Sequence, residues 1–283
     1  PNRLSEGGRI KRAKVINFSY NDKSYPGFEG DTLASAMLAN GIDVIGRSFK
    51  YSRARGIVAA GAEEPNAIMQ LGATEATQVP NVRATQQELY NGLVAKSTNG
   101  WPNVDFDMMS TVGKVGAKVM PPGFYYKTFM YPKSLWSTYE KYIRKAAGLG
   151  RSPLESDPDR YDHFNQHADI VIVGAGPAGL SAALVAARAG ARVIIADEQA
   201  EFGGSLLHSK EQINGQDALA WVEASVAELA TYPEVMMLPK ACVNGYHDHN
   251  FLTIHERVTD HISDRAAKNS SRQRMHRVRA KWV

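Results

Sequence analysis

At residue 169 the sequence enters an apolar run, Asp169-Ile170-Val171-Ile172-Val173, that passes straight into Gly174-Ala175-Gly176-Pro177-Ala178-Gly179. A continuous β-branched run of this kind marks a parallel strand buried on both faces. Residues 180–189 then read as a helix closed by Gly190, and residues 192–196 as a second buried strand ending at Asp197-Glu198. A G-x-G-x-x-G pattern alone is a weak signal. Here it lies between strand and helix, with an acid 23 residues after its first glycine. That context is the dinucleotide-binding signature of a Rossmann-type α/β sheet.

Each position has a physical reason. Gly174 lets the chain turn sharply out of the strand, Gly176 leaves room for a pyrophosphate against the backbone, and Gly179 lets the helix pack close to the sheet. The free N–H groups and positive helix end at Pro177-Ala178 face the phosphates. Pro177 sits in the first turn, where its missing N–H costs nothing. Asp197 is placed to accept hydrogen bonds from a ribose, and an acid there repels the extra phosphate of NADP. FAD and NAD share an ADP half, so the fingerprint leaves both open. The small-residue loop Gly203-Gly204-Ser205-Leu206 follows, placed either to approach the cofactor or simply to turn.

Downstream, residues 235–238 read as a third parallel strand. Residues 241–246, 251–258 and 274–283 read as an antiparallel meander, the layout of two-dinucleotide-binding folds. The remaining strands of such a domain are expected beyond residue 283, so the chain is expected to stop mid-domain. His247-Asp248-His249 invites a metal reading, but a polar turn is expected between two strands. Cys242, between apolar neighbours, is expected to be a buried small hydrophobe. No GxSxG, HExxH or P-loop pattern occurs, and no residue is assigned a catalytic or metal-ligating role.

The N-terminal third has a different texture. Residues 13–19 read as a strand, 20–23 as a turn, and a second short strand ends at Pro26-Gly27. A helix capped by Asp31 or Thr32 carries Leu33, Ala36, Met37 and Leu38 on its apolar face and ends at Asn40-Gly41. Asp43-Val44-Ile45 is expected to return as strand, followed by a basic loop over 46–56 with Arg47, Lys50, Arg53 and Arg55. Short strands around turns fill 66–98. This is a small α+β domain closing near Trp101-Pro102.

The stretch 103–167 contains Pro121-Pro122-Gly123 and then eight of the chain's 25 aromatic residues between Phe124 and Tyr142. A connector helix is expected over 134–147. Its aromatics either pack on their own domains or form a docking surface, because Tyr and Trp concentrate at interfaces. Residues 151–158 read as a polar linker. The expected domains are therefore 1–102, a connector 103–167, and 168–283.

Charge and cysteine content exclude other classes. Seven Lys/Arg and no acid follow position 264, which leaves 26 basic and 29 acidic side chains, a net of −3, for residues 1–264. A basic tail suggests nucleic acid, yet residues 276–282 alternate basic and apolar with period two, as a half-buried strand does. One cysteine excludes an intramolecular disulfide and an all-cysteine iron–sulfur cluster. No uncharged apolar run reaches the roughly 18 residues of a membrane helix, and residues 1–6 lack the apolar core of a secretory signal. A cytoplasmic protein with no nucleic-acid or membrane partner is expected.

Several stretches together carry a closer likeness. They are residues 28–36 (Phe-Glu-Gly-Asp-Thr-Leu-Ala-Ser-Ala), 46–51 (Gly-Arg-Ser-Phe-Lys-Tyr), Arg55-Gly56-Ile57, 63–67 (Glu-Glu-Pro-Asn-Ala), 173–180, and Asp197-Glu198 with 203–206. On these the chain resembles the α subunits of heterotetrameric sarcosine oxidases. The resemblance implies an α+β ferredoxin-like (β-grasp) N-terminal domain without a cluster. It also implies an α/β Rossmann-type two-dinucleotide-binding domain from near Ala168, incomplete at the C-terminus. It implies NAD on this chain, FAD and FMN mainly on or shared with a β subunit, tetrahydrofolate on a part of the α subunit not present here, and β, γ and δ partners. Sarcosine oxidation in such complexes yields glycine, hydrogen peroxide and formaldehyde or methylene-tetrahydrofolate. The implied NAD contacts are Ala178, Asp197, Glu198, Ser205 and the Val243 backbone, added to Gly174, Gly176, Pro177, Gly179 and Gly204. Relatives often carry Arg where Gln199 stands, and Gln keeps a donor without the charge. Sibling amine-oxidising complexes (N-methylglutamate dehydrogenase, opine oxidase or hydrogen cyanide synthase types) and a self-contained FAD/NAD(P)H reductase are the alternatives.

Overall fold

The computed structural model describes residues 2–49, 51–108, 131–262 and 269–283. Residues 121–123, the aromatics Phe124, Tyr125, Tyr126 and Phe129, Lys50 of the basic loop, and Arg265 and Lys268 of the basic tail lie outside the described residues. The chain divides into two compact units, Pro1–Pro158 and Asp159–Val283.

The first unit opens with the expected hairpin, β1 (Lys11–Tyr20) and β2 (Lys23–Glu29). Asn21 and Asp22 turn it with positive φ, a conformation short polar side chains tolerate. Helix α1 (Leu33–Ala39) is capped by Thr32, whose side chain accepts from the Ser35 N–H in a capping box. Asp31 does not cap. It is buried, holds Arg3 through two hydrogen bonds and accepts from the Phe28 N–H.

Residues 43–45 form no strand, contrary to the reading of Asp43-Val44-Ile45. The ladder starts one step later, with β3 (Gly46–Arg47) against β4 (Ala54–Arg55). Only Ile45 among the three donates into it, to the Arg55 carbonyl at 3.0 Å. β5 (Ile68–Leu71), β6 (Val79–Arg83) and β7 (Leu93–Ser97) complete a five-stranded mixed sheet in the order β2-β1-β7-β5-β6. The β1–β7 pair is parallel and the others antiparallel. Phe18, Leu33, Met37, Met69 and Leu93 fill the space between sheet and α1. Burying each such side chain contributes roughly 1.5–3 kcal/mol. The connector helix is α2 (Trp136–Ala146), and none of its residues is buried.

The second unit begins earlier than the apolar run suggests. β8 (Arg160–Val173) starts well upstream of Asp169 because residues 160–170 pair in parallel with the basic strand of the tail. Helix α3 (Pro177–Arg188) and β9 (Val193–Ala196) follow as expected. A short hairpin of β10 (Gln212–Ile213) and β11 (Gln216–Asp217) leads into α4 (Ala218–Leu229), an element the sequence reading missed. β12 (Val235–Leu238) is the third parallel strand, and β13 (Ala241–His247), β14 (Phe251–Arg257) and β15 (Ser271–Trp282) form the meander. The sheet order is β12-β9-β8-β15-β14-β13. Leu180, Leu184, Ile195 and Leu229 pack α3 and α4 on one face. Val171, Ile194, Leu252, Ile254 and Val278 fill the other.

From Ser271 to Trp282 the basic tail is thus an interior strand of this sheet, and its alternation is real. Arg272, His276, Val278 and Ala280 point inward. Arg272 is neutralised by Asp159 and Asp260 at 3.0 and 2.6 Å, and His276 lies 2.9 Å from Glu256. No helix among the described residues is long and apolar enough to cross a membrane.

Candidate functional site: a glycine cradle at the end of β8

The cradle forms where β8 meets α3. Gly174 donates to the Ala196 carbonyl at 2.8 Å and turns with φ +93°, which a side chain rarely tolerates. Gly176 is the N-cap of α3, and Pro177 fills the first turn. A Cβ built on Gly176 meets nothing within 4 Å, so the space above this backbone is open. At Gly179 a Cβ would lie 1.9 Å from the Gly174 carbonyl oxygen, so only glycine lets the helix sit this close. The first-turn N–H groups of a helix have no intrahelical acceptor, and here they face that open space with the positive end of the dipole.

Three further segments close on the cradle. The Gly203 N–H donates to the Ala175 carbonyl at 2.8 Å, which brings the small-residue loop alongside. Gly204 has φ +54°, and a Cβ there would come within 2.9 Å of Gly176 Cα. The Asp197 carboxylate accepts from the Ala175 N–H at 2.6 Å and from the Gln199 N–H at 2.8 Å. The Ala241 N–H donates to the Asp197 carbonyl at 2.7 Å, and the Lys240 N–H to the Gln199 carbonyl at 2.8 Å. Arg257 donates to the Glu198 carbonyl at 3.0 Å. Val243 therefore stands two residues along β13 from a direct bond to the acidic turn.

The residues singled out in the sequence are brought together, with one added role. Asp197 uses both carboxylate oxygens on the backbone N–H groups of Ala175 and Gln199. A carboxylate offers about four acceptor sites, so it keeps capacity for a ribose hydroxyl. Ala178 and Ser205 are exposed at the rim. Arg257 and Lys240, which hold the acidic turn, went unread because basic residues on a strand or turn carry no positional signal.

Cys242 departs from expectation. It is exposed, because β13 buries Ala241 and so turns its neighbour outward. Partial desolvation and the Glu198 charge push its thiol up, against the Arg257 charge, so it is a weak nucleophile. His247-Asp248-His249 lies at the β13–β14 turn, with His249 and Asn250 at positive φ.

An ADP-type group fits this cradle on the evidence of the open space at Gly176. A 2Fe–2S cluster does not fit the first unit, since the chain's single cysteine is Cys242.

Comparison with known proteins finds a family match in each unit. Residues 13–100 match a family described as a 2Fe-2S iron-sulfur cluster binding domain, and residues 169–230 match the FAD dependent oxidoreductase family. Sarcosine oxidase subunit alpha of Rhizobium meliloti (strain 1021) is 46% identical over 94% of the chain. The protein of the same name from Corynebacterium sp. (strain P-1) is 35% identical over 100% of it.

The chain resembles sarcosine oxidase subunit alpha along its length.

It spans about a quarter of these relatives, 27% and 25% of their lengths. Among solved structures, L-proline dehydrogenase from P.horikoshii covers 95% of the chain with a TM-score of 0.53 at 15% identity. That likeness concerns the fold alone.

Proposed function

We propose that this chain is the NAD-binding portion of the α subunit of a multi-subunit flavoprotein sarcosine oxidase. The observation that carries the reading is the open space at Gly176, next to the Ala175 N–H that the Asp197 carboxylate holds at 2.6 Å. The helix end receives the pyrophosphate, Asp197 and Glu198 receive the ribose, and Val243, Ser205 and Gln199 border the adenine side. Two acids at the ribose favour NAD over NADP by charge.

NAD when bound is a hydride acceptor, but in this reading only its ADP half is used, as a structural ligand. The chain's residues bind and orient that half and tie β8, α3, β9 and β13 together around it. None is assigned to amine oxidation. Oxidative demethylation of sarcosine with oxygen then belongs to the assembly, with FAD and FMN on or shared with a β subunit and γ and δ chains completing it. Residues 1–102 are read as the cluster-free domain and the stretch from 103 to Pro158 as the connector, while the Rossmann-type nucleotide-binding part takes in the whole of β8 and so begins at Asp159 rather than at Ala168. The exposed Tyr131, Trp136 and Tyr142 support a docking role for the connector.

A second reading places FAD in the same cradle, and the match of residues 169–230 to FAD dependent oxidoreductases favours it. Denaturing the purified natural assembly and weighing the released nucleotides separates the two. NAD at one per α chain, with sarcosine-dependent peroxide formation by the assembly and not by this chain, is the expected result. One FAD per α chain and no NAD supports the second reading, and sarcosine-dependent peroxide formation by this chain alone overturns the subunit reading.

A further inference from the structure

The loop that joins β4 to β5 is organised around one carboxylate. Glu64 is 1% exposed. One of its oxygens accepts from the Val58 and Ala59 N–H groups, each at 2.7 Å. The other accepts from the Asn66 N–H at 2.7 Å, and the adjacent Ala67 N–H also favours the charged carboxylate. The backbone of Glu64 is held as well, its N–H by the Gly61 carbonyl at 3.2 Å and its carbonyl by the Arg83 guanidinium at 3.2 Å.

A carboxylate without water is costly unless its oxygens are fully hydrogen-bonded. Here backbone N–H groups, converging from both ends of one loop, provide those bonds. Such convergent amides form an anion-binding concavity.

The loop lies inside residues 13–100, the part that matches cluster-binding domains. Plant-type 2Fe–2S ligands follow the spacing C-x4-C-x2-C. With the middle position on Glu64, the outer two fall on Ala59 and Ala67. Ala59 gives one of the N–H groups the carboxylate accepts, and the Ala67 N–H favours its charged form. Cluster sulfurs carry negative charge and accept N–H hydrogen bonds.

We propose that Glu64 is a built-in anion standing where a cluster would be, so that residues 56–67 fold around it without iron and the N-terminal unit carries no electrons. The loop keeps the amide geometry suited to an anionic centre, and the chain supplies that anion itself. Arg83 anchors the loop through the Glu64 carbonyl and leaves the carboxylate to the amides.

Amide hydrogen exchange on the full chain tests this, comparing wild type with Glu64→Gln and Glu64→Ala. The Gln variant keeps the size but turns an N–H₂ toward the backbone donors. Exchange at Val58, Ala59, Asn66 and Ala67 is expected to accelerate about tenfold or more. If the Gln variant fails to fold, Glu64→Ala is measured with and without formate. A small carboxylate is expected to restore slow exchange, whereas chloride-matched controls without formate stay fast. Wild-type protection in the Gln variant, or an Ala variant indifferent to formate, overturns the proposal. Iron and acid-labile sulfide are measured on the same wild-type sample. Their absence is expected, and about two irons per chain would overturn the proposal outright.

Discussion

The Asp197 carboxylate accepts the Ala175 N–H at 2.6 Å, which ties the end of β9 to the middle of the glycine turn after β8. This residue pair joins the two features that the sequence presents separately, the glycine fingerprint and the acid 23 residues after its first glycine. The acid therefore shapes the cradle before any ligand arrives.

Asp197→Ala is expected to free the Ala175 and Gln199 N–H groups and weaken nucleotide binding about 10- to 100-fold, the range for charge-assisted hydrogen bonds. Asp197→Asn is expected to fall between, because its amide keeps one acceptor oxygen. Titration of nucleotide against both variants checks the order, and equal affinity of Asp197→Ala and wild type would remove the role.

Two glycines three residues apart are expected to respond oppositely. Gly179→Ala drives a methyl into the Gly174 carbonyl, built at 1.9 Å, so strand and helix must separate. A loss of about 1–3 kcal/mol in stability is expected. Gly176→Ala meets nothing within 4 Å and leaves thermal unfolding unchanged. Calorimetry on the two variants decides.

Glu64 sets an acid dependence. Burial raises its carboxyl, but the N–H groups of Ala59, Asn66, Val58 and Ala67 outweigh burial and hold it below the usual glutamate range. A carboxyl lowered in the folded state stabilises above its unfolded pKa, and that stability is lost as pH falls through the folded one. Neighbouring Glu63 is also lowered, by backbone N–H groups of its own turn. The difference in melting temperature between wild type and Glu64→Gln should therefore be full near neutrality and shrink below about pH 4.5. A gap constant down to strong acid would contradict this.

Tyr20 sets an alkaline dependence. Burial pushes its phenol from 10.0 up to about 12. Because the folded value is the higher one, stability is fully present below the unfolded pKa and is lost as pH rises through this interval. One tyrosine should ionise late in an ultraviolet titration of the folded chain, and Tyr20→Phe should remove that late step.

The cradle was legible because its constraints are local. A turn out of a strand and a tight helix contact each demand glycine within six residues, and the sequence states them in order. What was missed depends on distant partners. Residues 160–168 are polar and became strand because residues 271–280 lie beside them in parallel register. Residues 43–45 look like strand, yet only Ile45 finds a ladder partner. Helix α4 did announce itself, since Asp217 caps the Leu219 and Ala220 N–H groups ahead of an apolar stretch. Cys242 was misread through its apolar neighbours, although the alternation from Ala241 points it outward. Glu64 stood in one of the stretches that carry the family likeness, but its role left no trace, because a charge in a loop reads as solvated until its burial is seen.

Nucleotide titration of wild type and Gly176→Ala, read together with their melting temperatures, tests the central claim most directly. Wild type is expected to bind NAD and not NADP, and the variant to melt with wild type while binding neither, because its methyl fills only the pyrophosphate space. NADP binding as tight as NAD, or a well-folded Gly176→Ala variant that keeps full affinity for NAD, would contradict the account.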